Sequence, residues 1–139
     1  AVSRQVGNCL WLAFGGPADW PVCDEIARLA GSRVLNLAGK TSLRQLMALL
    51  KLCHVVLTND SGPMHVAAAL GTPVVVPFGS TSPELTGPGL PGAPQHRLLQ
   101  SDAPCSPCFR RTCPIDFRCM TGITPDRVTE SILQVLSLK

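Results

Sequence analysis

Asn59-Asp60-Ser61-Gly62-Pro63-Met64-His65 is the stretch on which the reading of this chain turns. An apolar run, His54 to Leu57, leads into it, and Val66-Ala67-Ala68-Ala69-Leu70 followed by Gly71 leads out. That order predicts a strand, a tight turn and a short helix. Such a turn aims the first backbone N–H groups of the helix beyond the end of the strand. Those groups have no partner within the helix, and the helix dipole adds partial positive charge. A phosphate is the natural guest. Gly62 removes the side chain that would block close approach. Pro63 suits the first helical turn, where a missing N–H costs nothing. Ser61 is expected to cap the helix and offer a hydroxyl. Ionised Asp60 only accepts hydrogen bonds, so it suits sugar hydroxyls or the turn's own amides rather than phosphate. His65 falls in the first turn, within reach of the same guest. The plainer alternative is an ordinary capped turn with no ligand.

The pattern around this stretch sets the fold class. Upstream, strands are predicted at Asn8 to Phe14, Arg33 to Leu37 and His54 to Thr58. Downstream, they are predicted at Thr72 to Phe78 and Gln95 to Gln100. A helix is expected from Pro21 to Ala30, with Asp24 and Glu25 in its first turn and Gly31 after its end. Ser42 with Gln45 forms a capping box. Leu43, Leu46, Met47, Leu50 and Cys53 then follow a helical period. Thr124-Pro125-Asp126 opens a last helix, with Val128, Ile132, Val135 and Leu136 on one face. Pro83 to Pro94 reads as an irregular loop. Strands alternating with helices at this spacing predict an α/β fold with a Rossmann-like parallel sheet. Ligands of such sheets bind beyond the carboxyl ends of the strands. The loops there are Gly15 to Asp19, Ala38 to Ser42, Asn59 to Met64 and Gly79 to Ser82, with Lys40 as a cation.

The 139 residues suit one domain, and 45% are hydrophobic, so a sizeable core is possible. A net charge of +3 leaves no footprint for nucleic-acid binding. No apolar run is long enough to predict a membrane span. The chain opens on Ala1-Val2-Ser3-Arg4, and we read it as a fragment or a processed product.

Of seven cysteines, Cys9, Cys23 and Cys53 sit in apolar patterns and read as reduced core thiols. Cys105, Cys108, Cys113 and Cys119 cluster within a cysteine-rich insertion, residues 101–122, in the spacing C-x2-C-x4-C-x5-C. The first pair suits one knuckle of a structural zinc site. Arg110, Arg111 and Arg118 would favour thiolates there. Zinc held by all four thiols is the favoured reading, with two disulfides or four free thiols as the alternatives.

Three blocks carry a resemblance. They are Asn36-Leu37-Ala38-Gly39-Lys40-Thr41-Ser42-Leu43, Thr58 through Gly71, and Phe78-Gly79-Ser80-Thr81. Together they resemble the bacterial ADP-heptose:lipopolysaccharide heptosyltransferases, the type II members most of all. The likeness covers nearly the whole chain, and the Cys105-to-Cys119 segment is shared with many members. It implies the C-terminal, nucleotide-sugar-binding lobe of a two-lobed GT-B glycosyltransferase, here without the lobe's first strand. ADP-heptose is then the donor, and the lipopolysaccharide inner core is the acceptor. The acceptor lobe and its catalytic aspartate lie outside this sequence, so no catalytic residue is expected within it. Asp60, Ser61, Gly62 and His65 are implied to line phosphates and sugar, with Met64 also among the donor-binding residues. Lys40, Thr41 and Ser42 would flank the nucleotide, and Asp19 would face ribose or base. For Lys40 the alternative is a solvated surface lysine. No cofactor is implied for catalysis. The implied location is cytoplasmic, at the inner face of the inner membrane. The other functions open to such a chain are a stand-alone nucleotide-binding module and a zinc-stabilised interaction module.

Overall fold

A computed structural model describes Gln5, residues 9–89 and residues 93–137. The chain divides into two compact units, one up to Leu49 and one from Leu50.

In the first unit, β1 (Trp11–Ala13) pairs in parallel with β2 (Val34–Asn36), Trp11 opposite Val34 and Ala13 opposite Asn36. A parallel pair needs a crossover, and α1 (Trp20–Ala30) supplies it. α1 begins one residue earlier than the sequence predicts, out of a 3₁₀ turn at Pro17–Asp19. Gly31, at φ 79°, ends it, with its N–H on Ala27 O. The strand predicted over Asn8 to Phe14 shortens to β1, and Asn8 lies outside the described residues. Asn36 is buried and bonded at both ends of its amide: the nitrogen donates to Trp20 O, and the oxygen accepts from the Ala38 N–H at 3.0 Å. α2 (Leu43–Leu52) starts at the predicted capping box. The Ser42 N–H meets Gln45 Oε1 at 2.9 Å, and the Gln45 N–H meets Ser42 Oγ at 3.3 Å. On the apolar period of α2, Leu50 is buried while Leu43 and Met47 are exposed.

The second unit is built on three parallel strands in the order β3 (Val56–Leu57), β4 (Val74–Phe78), β5 (Arg97–Gln100). α3 (Gly62–Ala69) connects β3 to β4. The central position explains the composition of β4: Val74, Val75, Val76 and Phe78 are all fully buried. Proline is uncommon in a central strand because it cannot donate to the ladder. Pro77 escapes the penalty by its position. Val56 and Thr58 donate to Pro73 O and Val75 O, so the odd-numbered residues of β4 face β3. Pro77 comes two residues later, at the end of that ladder, so only its last bond is affected.

After β4, α4 (Pro83–Thr86) puts a turn of helix into the stretch read as irregular. Residues 90–92 of that stretch lie outside the described residues. α5 (Arg118–Thr121) carries Cys119, and α6 (Pro125–Ser137) closes the chain. Thr124 Oγ1 accepts the Arg127 N–H at 3.3 Å, as the cap predicts. Ile132 and Val135 of α6 are buried, and Val128 and Leu136 half-buried. Its buried Thr129 and Ser131 hydroxyls donate to carbonyls four residues back, Pro125 O and Arg127 O. Among the described residues no helix is long and apolar enough to cross a membrane.

Candidate functional site

The turn after β3 forms as its residue types dictate, with one exception. Ser61 has the extended backbone of an N-cap, φ −161° and ψ 170°, and α3 begins at Gly62. Its hydroxyl does not cap the helix, contrary to expectation. It turns back to Asn59 O at 3.2 Å and lies 3.3 Å from Thr58 Oγ1, which itself donates to Asn59 O. The Asn59 carbonyl thus draws both hydroxyls into the turn. The N-terminal end of α3 is left without a side-chain acceptor, a pole of partial positive charge. A Cβ placed on Gly62 would meet nothing within 4 Å, so the approach is open.

Asp60 is tied down by a residue that sequence reasoning missed. Thr86 Oγ1 lies 2.7 Å from Asp60 Oδ2 and 2.9 Å from Ser82 O, one hydroxyl serving both. This holds the turn to α4. No local pattern links residues 26 apart. His65 is exposed on the first turn of α3. Met64, expected among the donor-binding residues, has its side chain fully buried.

Asp19, Lys40, Thr41 and Ser42 lie in the first unit. Asp19 Oδ2 accepts the Gly16 N–H at 2.8 Å, so the carboxylate serves its own turn. The loops after β1 and β2 are joined by Gly39 N–H to Gly15 O at 2.9 Å. Gly39 has φ 69°, and a Cβ there would come within 3.1 Å of Pro17 Cα. Both facts require glycine. Lys40 is exposed. Its ammonium sits 4.6 Å from the centroid of the Trp20 ring. Ser42 caps α2, and Thr41 is half-buried beside it.

Zinc is the favoured expectation for the cysteine segment. Cys23, Cys105, Cys108, Cys113 and Cys119 are free thiols. Among the described residues, no three His, Cys, Asp or Glu side chains are placed to hold a metal ion. The segment is pinned by other means. The Cys108 and Phe109 N–H groups both donate to Ser80 O, at 3.0 and 2.7 Å, and Ser106 Oγ donates to Gly79 O at 2.7 Å. Ser101 Oγ adds a bond to Cys119 O at 2.9 Å. Cys113 is engaged locally: its sulfur accepts the Ile115 and Phe117 N–H groups at 3.5 and 3.4 Å. Those two donors hold its thiol below the ordinary range. Cys119 is buried, Cys105 and Cys113 are half-buried, and Cys108 is exposed. All four line one cavity of about 440 Å³, with the Asn59–Asp60 turn and the Ser80–Thr81 loop on its other sides.

The family model for glycosyltransferase family 9 (heptosyltransferase) matches residues 3–117. The chain belongs to that family. The match takes in both loop blocks and Cys105, Cys108 and Cys113, and ends before Cys119. This family 9 chain is 34% identical over 130 residues to lipooligosaccharide heptosyltransferase 2 of Campylobacter jejuni, covering 90% of this chain and 40% of that protein. It is 36% identical over 133 residues to lipopolysaccharide heptosyltransferase 2 of Salmonella typhimurium, covering 89% of this chain and 36% of the relative. Among solved structures, the ADP-heptose lps heptosyltransferase II of E. coli superposes with a TM-score of 0.80 at 29% identity, covering 99% of this chain and 40% of that one. A family 9 structure from Veillonella parvula superposes at 0.77 with 22% identity, covering 99% of this chain and 38% of that one, a likeness of fold. The α/β fold with parallel sheets is that of the GT-B heptosyltransferases. The chain spans about two-fifths of the length of these relatives.

Proposed function

We propose that this chain is the donor-binding lobe of a heptosyltransferase that transfers heptose from ADP-heptose to the lipopolysaccharide inner core. The observation that carries the reading is the uncapped N-terminus of α3, open above Gly62 at the carboxyl end of β3. The diphosphate of the donor lies against that pole. The Gly62 N–H and the Ser61 hydroxyl reach its oxygens, and Asp60 and His65 serve the sugar. Lys40, Thr41 and Ser42 flank the nucleotide, and Asp19 faces its ribose or base. An acceptor hydroxyl attacks the anomeric carbon as ADP departs. The charge that grows on the leaving diphosphate meets N–H dipoles already in place, so little reorganisation is needed. The proton of the attacking hydroxyl goes to a base in the acceptor lobe, outside residues 1–139. The reaction belongs to the cytoplasmic face of the inner membrane, where a nucleotide sugar is available.

Titration calorimetry with ADP tests this reading. The expected Kd is on the order of 0.1–1 mM, about −4 to −5.5 kcal/mol. Two or three charge-assisted hydrogen bonds at about 1.5–3 kcal/mol each must offset the cost of association. Absence of binding at about 5–10 mM ADP would remove the diphosphate from α3.

A further inference from the structure

Asp60 is the one carboxylate on the cavity of about 440 Å³. It is half-buried. Arg110 and Arg111 line the same cavity, yet neither pairs with it, and both lack a side-chain partner among the described residues. Among those residues the one hydrogen-bond partner of the Asp60 side chain is the Thr86 hydroxyl, 2.7 Å from Oδ2. Oδ1 accepts no bond there. An ionised carboxylate has about four acceptor sites, so most of this one's capacity is left for a ligand.

Thr86 is fixed from its own side. Ser82 O accepts the Leu85 and Thr86 N–H groups, at 3.1 and 2.9 Å, which makes the single turn of α4. The Gly87 N–H closes that turn on Pro83 O at 3.0 Å, and a Cβ on Gly87 would collide with the same oxygen. The two N–H groups fill the two lone pairs of the Ser82 carbonyl. The Thr86 hydroxyl has a single proton. It lies 2.9 Å from that crowded oxygen and 2.7 Å from Asp60 Oδ2. The shorter contact, to an ionised acceptor with unused lone pairs, draws the proton. Threonine is also stiff at its first side-chain torsion, so the donor is held in direction. The bond thus fixes a carboxylate that no other described side chain fastens. A carboxylate fixed before a sugar arrives need not be ordered at the moment of binding.

We propose that Thr86 is a positioning residue for the donor sugar. Its hydroxyl holds Asp60 by Oδ2 and leaves Oδ1 to accept from sugar hydroxyls, so the chain prefers a nucleotide sugar to the bare nucleotide. The proposal rests on the donor reading above, in which Asp60 serves the sugar. It adds a residue 26 positions away that acts only through Asp60.

Titration calorimetry of the 139-residue chain with ADP and with ADP-heptose is the test. The parent is expected to bind ADP-heptose about fivefold or more tightly than ADP. Thr86→Val keeps the side-chain shape and removes the proton. It should bring the two affinities to within about twofold of each other while the ADP affinity itself moves by no more than about twofold. Thr86→Ser should restore most of the margin. In an Asp60→Ala chain, adding Thr86→Val should change the margin no further, which a merely structural threonine would not show. A margin that survives Thr86→Val would overturn the proposal and leave the donor reading standing. So would an equal fall in both affinities, a further loss in the Asp60→Ala chain, or loss of cooperative melting in Thr86→Val, since each makes the threonine structural. Equal binding of the two ligands by the parent would take the sugar from Asp60, and the proposal with it. Binding of neither would remove the donor reading itself together with the proposal.

Discussion

At the scale of single residues, Gly62 and Lys40 make the sharpest contrast. A side chain on Gly62 would project into open space, so the fold tolerates it and only a ligand would feel it. Lys40 is an exposed loop cation whose ammonium sits 4.6 Å from the centroid of the Trp20 ring. Gly62→Val is therefore expected to weaken ADP binding by about tenfold or more, ~1.4 kcal/mol. Lys40→Ala should weaken it by roughly twofold to threefold, as for other exposed charges. Calorimetry on the two variants checks the order, and a larger loss for Lys40→Ala reverses it. His96 gives a second prediction. It is buried, and its Nδ1 accepts the Val74 N–H at 3.2 Å beside the central strand. Burial pushes its imidazole below the ordinary value. The unfolded chain then takes up a proton more readily than the folded one. Stability is full above the unfolded value of about 6.5 and is lost as pH falls from there toward the lower folded value. Thermal melts between pH 7 and pH 5 should fall less steeply for His96→Gln than for the parent, and equal slopes would free His96 of the effect.

Among the elements, α2 is stabilised at its start by a reciprocal pair. Ser42 and Gln45 each satisfy the other's backbone N–H. The two bonds form one motif, so removing either partner releases both termini. Ser42→Ala is expected to cost about 1 kcal/mol. Gln45→Ala should cost a similar amount, and the double variant less than the sum of the two. Urea unfolding of the three variants measures this, and strict additivity would mean that the two bonds act independently. α3 shows the opposite arrangement. Its Ser61 could have capped it and instead bonds backward, which leaves the helix pole free. A cap favours stability and an open pole favours a ligand, and the two helices divide along that line.

For the whole molecule, the cysteine segment is the instructive case. It is fastened to the Gly79–Ser80 loop by backbone and serine hydrogen bonds, and no sulfur bridges it. Neither a chelator nor a reductant should then shift the melting temperature, and denatured protein should show seven reactive thiols. Three thiols would restore the two disulfides. A clear fall in melting temperature with EDTA would restore the metal.

The sequence by itself determined the local and periodic features. The parallel α/β pattern, the capping box at Ser42 and Gln45, the Thr124 cap and the buried run of β4 all depend on neighbours within a turn or two. Residue type decides such features directly. Family membership was legible for a related reason, since the loop blocks around Lys40 and Asp60 are short and contiguous. Tertiary structure alone decided which way the Ser61 hydroxyl turns, because that depends on where the Asn59 carbonyl points. It also decided that Thr86 holds Asp60, that Met64 packs inward and that Arg110 and Arg111 remain unpaired beside a cavity. The cysteine spacing suggested a metal because spacing records separation along the chain. A ligand set requires convergence in space, which spacing along the chain does not record; the structure adds that the segment is bonded to Ser80 and that Cys113 accepts two local N–H groups.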